Sequence, residues 1–243
     1  MLSENSGAVQ HYFKDLEELS RAAARMVVDL SRQAIVERGV FSLVLSGRTT
    51  PKRLYEILAT PPVCNDLDWQ KTFIFWGDER FLPLDHPDSN YHLANEHLLA
   101  CLPAAHVFPV PVGVATPEEA ARQYEESIHD FWRGHGMSGP PVFDCLLLGM
   151  GADGHCASLF PGSPLLKEQT ALVAAVSEPA GSPPVPRITL TLPGLATSRA
   201  IIFLACGAEK NRILDELRAG REVPYPVALV RSQGRIHWFT CQD

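Results

Sequence analysis

The chain has no Cys-x-x-Cys pair, no apolar run of membrane length and no surplus of basic residues. Each absence removes a class of function. Six cysteines are scattered through 243 residues. Without paired spacing they give no zinc-ribbon or thioredoxin-type site. Cys145 and Cys206 lie inside apolar runs, so both are expected as buried free thiols. The longest apolar run, Ala200 to Cys206, is strand-sized, far short of the roughly 18 residues a membrane span needs. The opening MLSENSGAVQHYF lacks the basic start and apolar core of a secretory signal, so a cytoplasmic protein is expected. The 21 Lys and Arg against 28 Asp and Glu give a net charge of −7. No basic excess exists to displace counterions, which argues against nucleic acid and anionic membranes. A small phosphorylated ligand needs only a few local cations and stays open.

What is present is a globular composition, 46% hydrophobic and 20% charged, enough for one domain over 1–243. Helix and strand signals alternate. Asp15 and Glu18 resemble a capping pair before a helical apolar pattern that runs to Gly39. FSLVLS (41–46), TFIFWG (72–77), FDCLLLG (143–149), ALVAAVS, ITLTL, AIIFLAC and RIHWFT read as strands. Helices are expected from Pro51, from Pro117 behind a Thr116 cap to about residue 133, and over GAEKNRILDELRAG. GHGMSGPP (134–141) and SEPAGSPPVP (177–186) read as loops. The alternation predicts an α/β fold with a mostly parallel sheet and helices on both faces.

GMGADG (149–154) matches G-x-G-x-x-G. A dinucleotide fingerprint also needs a long helix after the glycines. Here HCASLF is followed at once by Pro161-Gly162, so no long helix fits. The same segment instead presents Asp153 and His155 at a strand's carboxyl end, where open α/β sheets bind ligands. Alone, that pair could be a cap and an exposed ring. Three further segments repeat the pattern. LSGRTTPK (45–52) puts Ser46, Gly47, Thr49 and Thr50 in a turn whose N–H groups and hydroxyls suit a phosphate. WGDER puts Asp78, Glu79 and Arg80 after another strand. PRITLTL and CGAEK put Arg187 before a strand and Lys210 one turn into a helix. Each could be plain surface. Together they suit a small, anionic, hydroxylated substrate.

LSGRTTPKRLYEIL, FWGDERFLPLDHPDSNY, LLLGMGADGHCASLFPG, PRITLTLPGL and FLACGAEK, in this order, resemble the 6-phosphogluconolactonase family, within the group that includes glucosamine-6-phosphate deaminases. The resemblance runs from about residue 45 to 214. Two positions depart from it. Arg48 stands where the family usually has glycine, and Cys156 where it usually has threonine. Cys156 adjoins His155, but nucleophile and base are normally assembled from separate parts of a fold, so Cys156 is taken as packing.

The resemblance implies a Rossmann-like fold and hydrolysis of 6-phosphogluconolactone to 6-phosphogluconate in the pentose phosphate pathway. It implies no nucleotide cofactor and no required metal. The spacing of His86, His92 and His97 fits no common ligand motif either. Under that reading His155 is the base, with Asp153 orienting it. Arg80 or the amides of the 149–154 turn meet the developing oxyanion. Arg187, Lys210 and the Ser46–Thr50 turn hold the phosphate, and Asp78 adds to the substrate site. The expected partner is the sugar-phosphate lactone alone, on a monomer or weak homo-oligomer. Two alternatives compete. One is an amino-sugar phosphate deaminase with Asp78 as base. The other is a sensor that binds the sugar phosphate without turnover.

Overall fold

A computed structural model describes residues 8–47, 49–102, 106–219 and 224–242, without the side chains of Thr49, Pro179 and Ala180. Strand β1 (Ala8–Phe13) precedes α1 (Leu16–Arg38), β2 (Phe41–Leu45) and α2 (Thr49–Leu58). Then come β3 (Thr72–Trp76), β4 (Asp78–Arg80), α3 (Asn90–His97), β5 (His106–Val107) and α4 (Pro117–Gly134). The rest is β6 (Cys145–Gly149), β7 (Val173–Ala180), β8 (Val185–Leu190), α5 (Leu192–Ala196), β9 (Ala200–Cys206), α6 (Ala208–Arg218) and β10 (Arg235–Cys241).

Both anticipated caps form. Asp15 accepts the Glu18 N–H while Glu18 reaches back to the Lys14 N–H, each at 2.9 Å. Thr116 accepts the Glu119 N–H at 3.2 Å, with Pro117 at the first helical position. α1 stops at Gly39, whose φ of 80° is left-handed and open to glycine at no steric cost.

Seven strands form a parallel sheet in the order β1-β10-β9-β6-β2-β3-β5. β2 and β3 are buried at every position, β9 at all but its last. Such continuous burial requires cover on both faces, as parallel sheets have. α1 and α2 pack together over one stretch of it, and α6 lies against β9. Phe203 and Trp238 stack at 4.1 Å between neighbouring strands β9 and β10.

Three expectations need correction. ALVAAVS and ITLTL do not extend the parallel sheet. They form β7 and β8 of a separate antiparallel sheet in the order β4-β8-β7. Both kinds of strand are apolar runs of the same length, and periodicity cannot tell which sheet receives them. The 177–186 stretch read as a loop is mostly the hairpin's own strand, since β7 reaches Ala180 and β8 starts at Val185. Cys206 is not a free thiol but is disulfide-bonded to Cys241. The two residues lie opposite each other in the β9–β10 register, a pairing 35 positions apart in sequence. Cys145 is free and buried, as expected.

Among the described residues no helix is long and apolar enough to cross a membrane.

At the far side of the sheet, His11 of β1 and His237 of β10 share a hydrogen bond at 3.2 Å in a groove under α1. Burial, then the neighbouring His11 and Arg235, push His237 down to about 4, and burial lowers His11 as well. The unfolded chain therefore binds more protons than the folded one between the ordinary value of 6.5 and about 4. Stability should fall as pH is lowered through that window, by about 1–2 kcal/mol after allowance for the pair's partial solvent contact. Thermal unfolding of the wild type and His237→Gln across the window checks this. The variant should lose distinctly less, and equal losses would remove the pair as the cause.

Candidate active site

β9, β6, β2 and β3 lie side by side and parallel, so the residues following each emerge along one carboxyl edge. A small, narrow cleft opens there. Ser46 and Gly47 after β2, Asp78 and Arg80 of β4, Asn90 of α3, and Gly149, Gly151, His155 and Ala157 line it.

The GMGADG turn folds onto itself. Gly151 N–H donates to the His155 carbonyl at 2.8 Å, and Gly154 N–H to the Gly151 carbonyl at 3.0 Å. Residues 150–163 are turns and a Cys156–Leu159 bridge, so the long helix of a dinucleotide fingerprint is missing. Among the glycines of this turn, Gly151 carries the tightest constraint. A Cβ there would stand 2.2 Å from His155 Nδ1 and 2.5 Å from Asp153 Oδ1. That space is what lets the two side chains meet. Asp153 Oδ1 makes a short contact with His155 Nδ1 and accepts the His155 backbone N–H at 3.2 Å. A carboxylate at Nδ1 demands a proton on that nitrogen and makes Nε2 the basic one. Burial would raise Asp153, but the adjacent His155 and its hydrogen bonds outweigh this and hold the carboxyl below its ordinary value. His155 itself is buried, with Phe160 4.7 Å away, ring to ring. The neighbouring Cys156 is fully buried and burial pushes its thiol up, the opposite of an activated nucleophile.

Asp78 joins the pieces. Its Oδ2 accepts from Ser158 Oγ at 2.7 Å and its Oδ1 from Asn90 Nδ2 at 3.3 Å. Arg187 Nη1 stands 4.0 Å from Oδ2. Arg187 is only 1% exposed and lies within β8 rather than before it. It donates to the Pro183 carbonyl at 3.0 Å, and its guanidinium lies 5.7 Å from the Phe160 ring centroid. Lys210 lies half-buried in the first turn of α6, which follows β9, the strand next to β6. Ser46 Oγ accepts the Gly149 N–H at 3.3 Å and so ties the β2 turn to the β6 turn. Thr50 opens α2. Arg48 and the Thr49 side chain lie outside the described residues. Among the described residues no cluster of His, Cys, Asp or Glu could hold a metal ion.

Two polar residues of the cleft region were assigned no role from sequence. Glu79 is buried and accepts from the N–H groups of Arg80, Asn90 and Tyr91, each at 2.7 Å, and from Ser89 Oγ at 3.0 Å. Burial pushes its carboxyl up to about 7 against the pull of those donors. It anchors the start of α3, and with it Asn90. Ser89 is the N-cap there, accepting the His92 N–H at 3.2 Å. That cap was the available signal, because a serine before Asn90 fixes which residue opens the helix.

The description "Glucosamine-6-phosphate isomerases/6-phosphogluconolactonase" belongs to the family model that matches residues 14–238. A 6-phosphogluconolactonase of Synechocystis sp. is 40% identical over 218 residues, 87% of this chain and 86% of that one. The crystal structure of 6-phosphogluconolactonase from Thermotoga maritima superposes with a TM-score of 0.83 at 31% identity, covering 97% of this chain and all of the other. The structure of 6-phosphogluconolactonase from Trypanosoma cruzi does so at 0.84 and 32%, covering 96% and 94%.

Gly151→Ala tests the close approach at the glycine turn. The new methyl must displace the imidazole from Asp153. Far-UV circular dichroism should be unchanged, the His155 ring resonances should shift, and turnover should fall ~10²–10⁴-fold, as for a lost acid–base group. An alanine variant with native ring resonances and native turnover would show that the packing at Gly151 is unimportant.

Proposed function

The chain belongs to the glucosamine-6-phosphate isomerase/6-phosphogluconolactonase family, and from that premise we propose that it hydrolyses 6-phosphogluconolactone to 6-phosphogluconate. The observation that carries the reading is the Asp153–His155 contact at the wall of the cleft. A lactone is an ester, so water must attack its carbonyl and the ring oxygen must leave. With Nδ1 held by Asp153, His155 Nε2 takes the proton from water near neutral pH. The same nitrogen later returns it to the departing ring oxygen. Asp153 keeps the ring oriented and offsets the charge of the imidazolium.

Negative charge develops on the carbonyl oxygen as water adds, and needs a donor. The amides of Gly149, Gly151 and Gly154 already donate within the protein. Arg80 is therefore assigned to the oxyanion. The phosphate is assigned to Lys210 with the Ser46–Thr50 turn. Lys210 stands at the N-terminus of α6, where unpaired N–H groups favour an anion. Arg187, enclosed beside Asp78, is given the supporting part of that site.

The decisive assay uses freshly made 6-phosphogluconolactone, corrected for spontaneous hydrolysis, with glucosamine 6-phosphate beside it. Turnover of the lactone alone is expected, and release of ammonia from the amino sugar would favour the deaminase chemistry. His155→Asn should lower kcat by ~10²–10⁴-fold while calorimetric binding of 6-phosphogluconate persists. Near wild-type turnover would remove His155 from the mechanism.

Lys210→Met addresses the phosphate. Loss of one charged hydrogen bond should cost about 1.5–3 kcal/mol in kcat/KM for the phosphorylated lactone. Unphosphorylated gluconolactone, which never makes the contact, should be nearly unaffected. An unchanged ratio between the two lactones would mean the phosphate lies elsewhere.

A further inference from the structure

Two buried polar atoms in the cleft residues have no partner, and they are of opposite kind. Asn90, 2% exposed, has an unpaired acceptor at Oδ1, and Arg80 has an unpaired donor at Nε. The amide of Asn90 cannot be turned round to cure this. Its Nδ2 faces the Asp78 carbonyl oxygen at 2.8 Å and the Asp78 carboxylate at 3.3 Å, both acceptors. Oδ1 consequently points at Gly47, where a Cβ would come within 1.9 Å of it. Arg80 is fixed as well, since Nη1 donates to the Asp88 carbonyl and leaves the Nε/Nη2 edge facing elsewhere. Each unsatisfied group is costly in the folded protein, so a ligand that satisfies both regains that energy on binding.

The pair selects the ligand group. Phosphate and carboxylate oxygens only accept and would leave Asn90 unpaired. An ammonium only donates and would leave Arg80 unpaired. A hydroxyl does both. His155 lines the same narrow cleft, so the hydroxyl in question neighbours the carbon that water attacks. A guanidinium edge presents two parallel N–H groups, and a carbonyl with a hydroxyl on the adjacent carbon presents two matching oxygens. Resting on the lactonase reading above, we infer that Arg80 and Asn90 together read the 2-hydroxyl of the lactone, Arg80 Nε donating to it and Asn90 Oδ1 accepting its proton. Asn90 is thereby a specificity-determining residue.

The test compares 6-phosphogluconolactone with its 2-deoxy analogue, made by oxidising 2-deoxyglucose 6-phosphate. Wild-type kcat/KM should favour the natural lactone by about 10²-fold or more, because a site built to hydrogen-bond a hydroxyl rejects its absence strongly. Asn90→Leu removes the acceptor and should narrow that preference at least about tenfold. A variant slowed equally on both lactones would mean that Asn90 only positions Asp78, and would overturn the inference. Should the variant fail to fold, the wild type alone decides. Calorimetry must then find 6-phosphogluconate bound more tightly than 2-deoxy-6-phosphogluconate, and equal affinity with equal turnover overturns the inference. Turnover of neither lactone would defeat the lactonase reading and this inference with it, whereas turnover of both at one rate defeats this inference alone.

Discussion

The buried carboxylate of Asp78 is the constraint on which the rest of the site depends. An ionised carboxylate inside a protein is tolerated only when its oxygens are matched by donors or cations. Asp78 meets that demand from three elements distant in sequence: Ser158 after the glycine turn, Asn90 of α3 and Arg187 of β8. Its neighbours fasten the two sheets together. Gly77 N–H donates to the Leu45 carbonyl of β2 at 2.9 Å, while the Gly77 carbonyl accepts from Leu190 of β8 at 2.8 Å. The chain thus leaves the parallel sheet and enters the antiparallel one at the point where the acid is held. Loss of any one partner leaves the charge under-compensated and unsettles the other two.

This arrangement explains what the sequence could reveal and what it could not. The strand ends were legible because each follows an apolar run that a local pattern detects. Ser46, Asp78 and Gly149 follow such runs and meet on one rim. The caps at Asp15 and Thr116 were legible for the same reason, since their partners lie three residues on. Long-range pairing was not. That Arg187 faces Asp78, that Cys206 lies opposite Cys241, and that β7 and β8 leave the main sheet all follow from register between distant segments. An arginine before an apolar run looks the same in sequence whether it meets solvent or a buried acid. Asn90 and Glu79 were hidden for another reason. Their weight comes from the geometry of a helix start, where Glu79 meets the Asn90 N–H only once the chain has folded back.

The cleft divides its electrostatics by position. The chain is acidic overall, at −7, yet the reaction proposed here brings in an anion. A uniform attraction is therefore unavailable, and recognition must come from cations placed locally. Two of them are already committed in part: Arg187 to Asp78 and the Pro183 carbonyl, and one edge of Arg80 to the Asp88 carbonyl. Cations so restrained can donate directed hydrogen bonds.

The sheet order then fixes how a substrate would lie. Parallel neighbours are about 4.8 Å apart, so the turn after β6 and the start of α6 after β9 stand one strand spacing from each other. In the proposed reaction, with the hydroxyl-reading pair on the β3 side of His155 and Lys210 on its β9 side, the reacting carbonyl falls between two anchors. Binding energy from the phosphate can then hold the carbonyl in front of the imidazole. That use of remote contacts raises kcat rather than affinity alone. In that proposal it also accounts for a general base on a turn rather than on a strand. The turn after β6 occupies the middle of the rim, and only glycine at 151 leaves the space in which the acid and the imidazole meet.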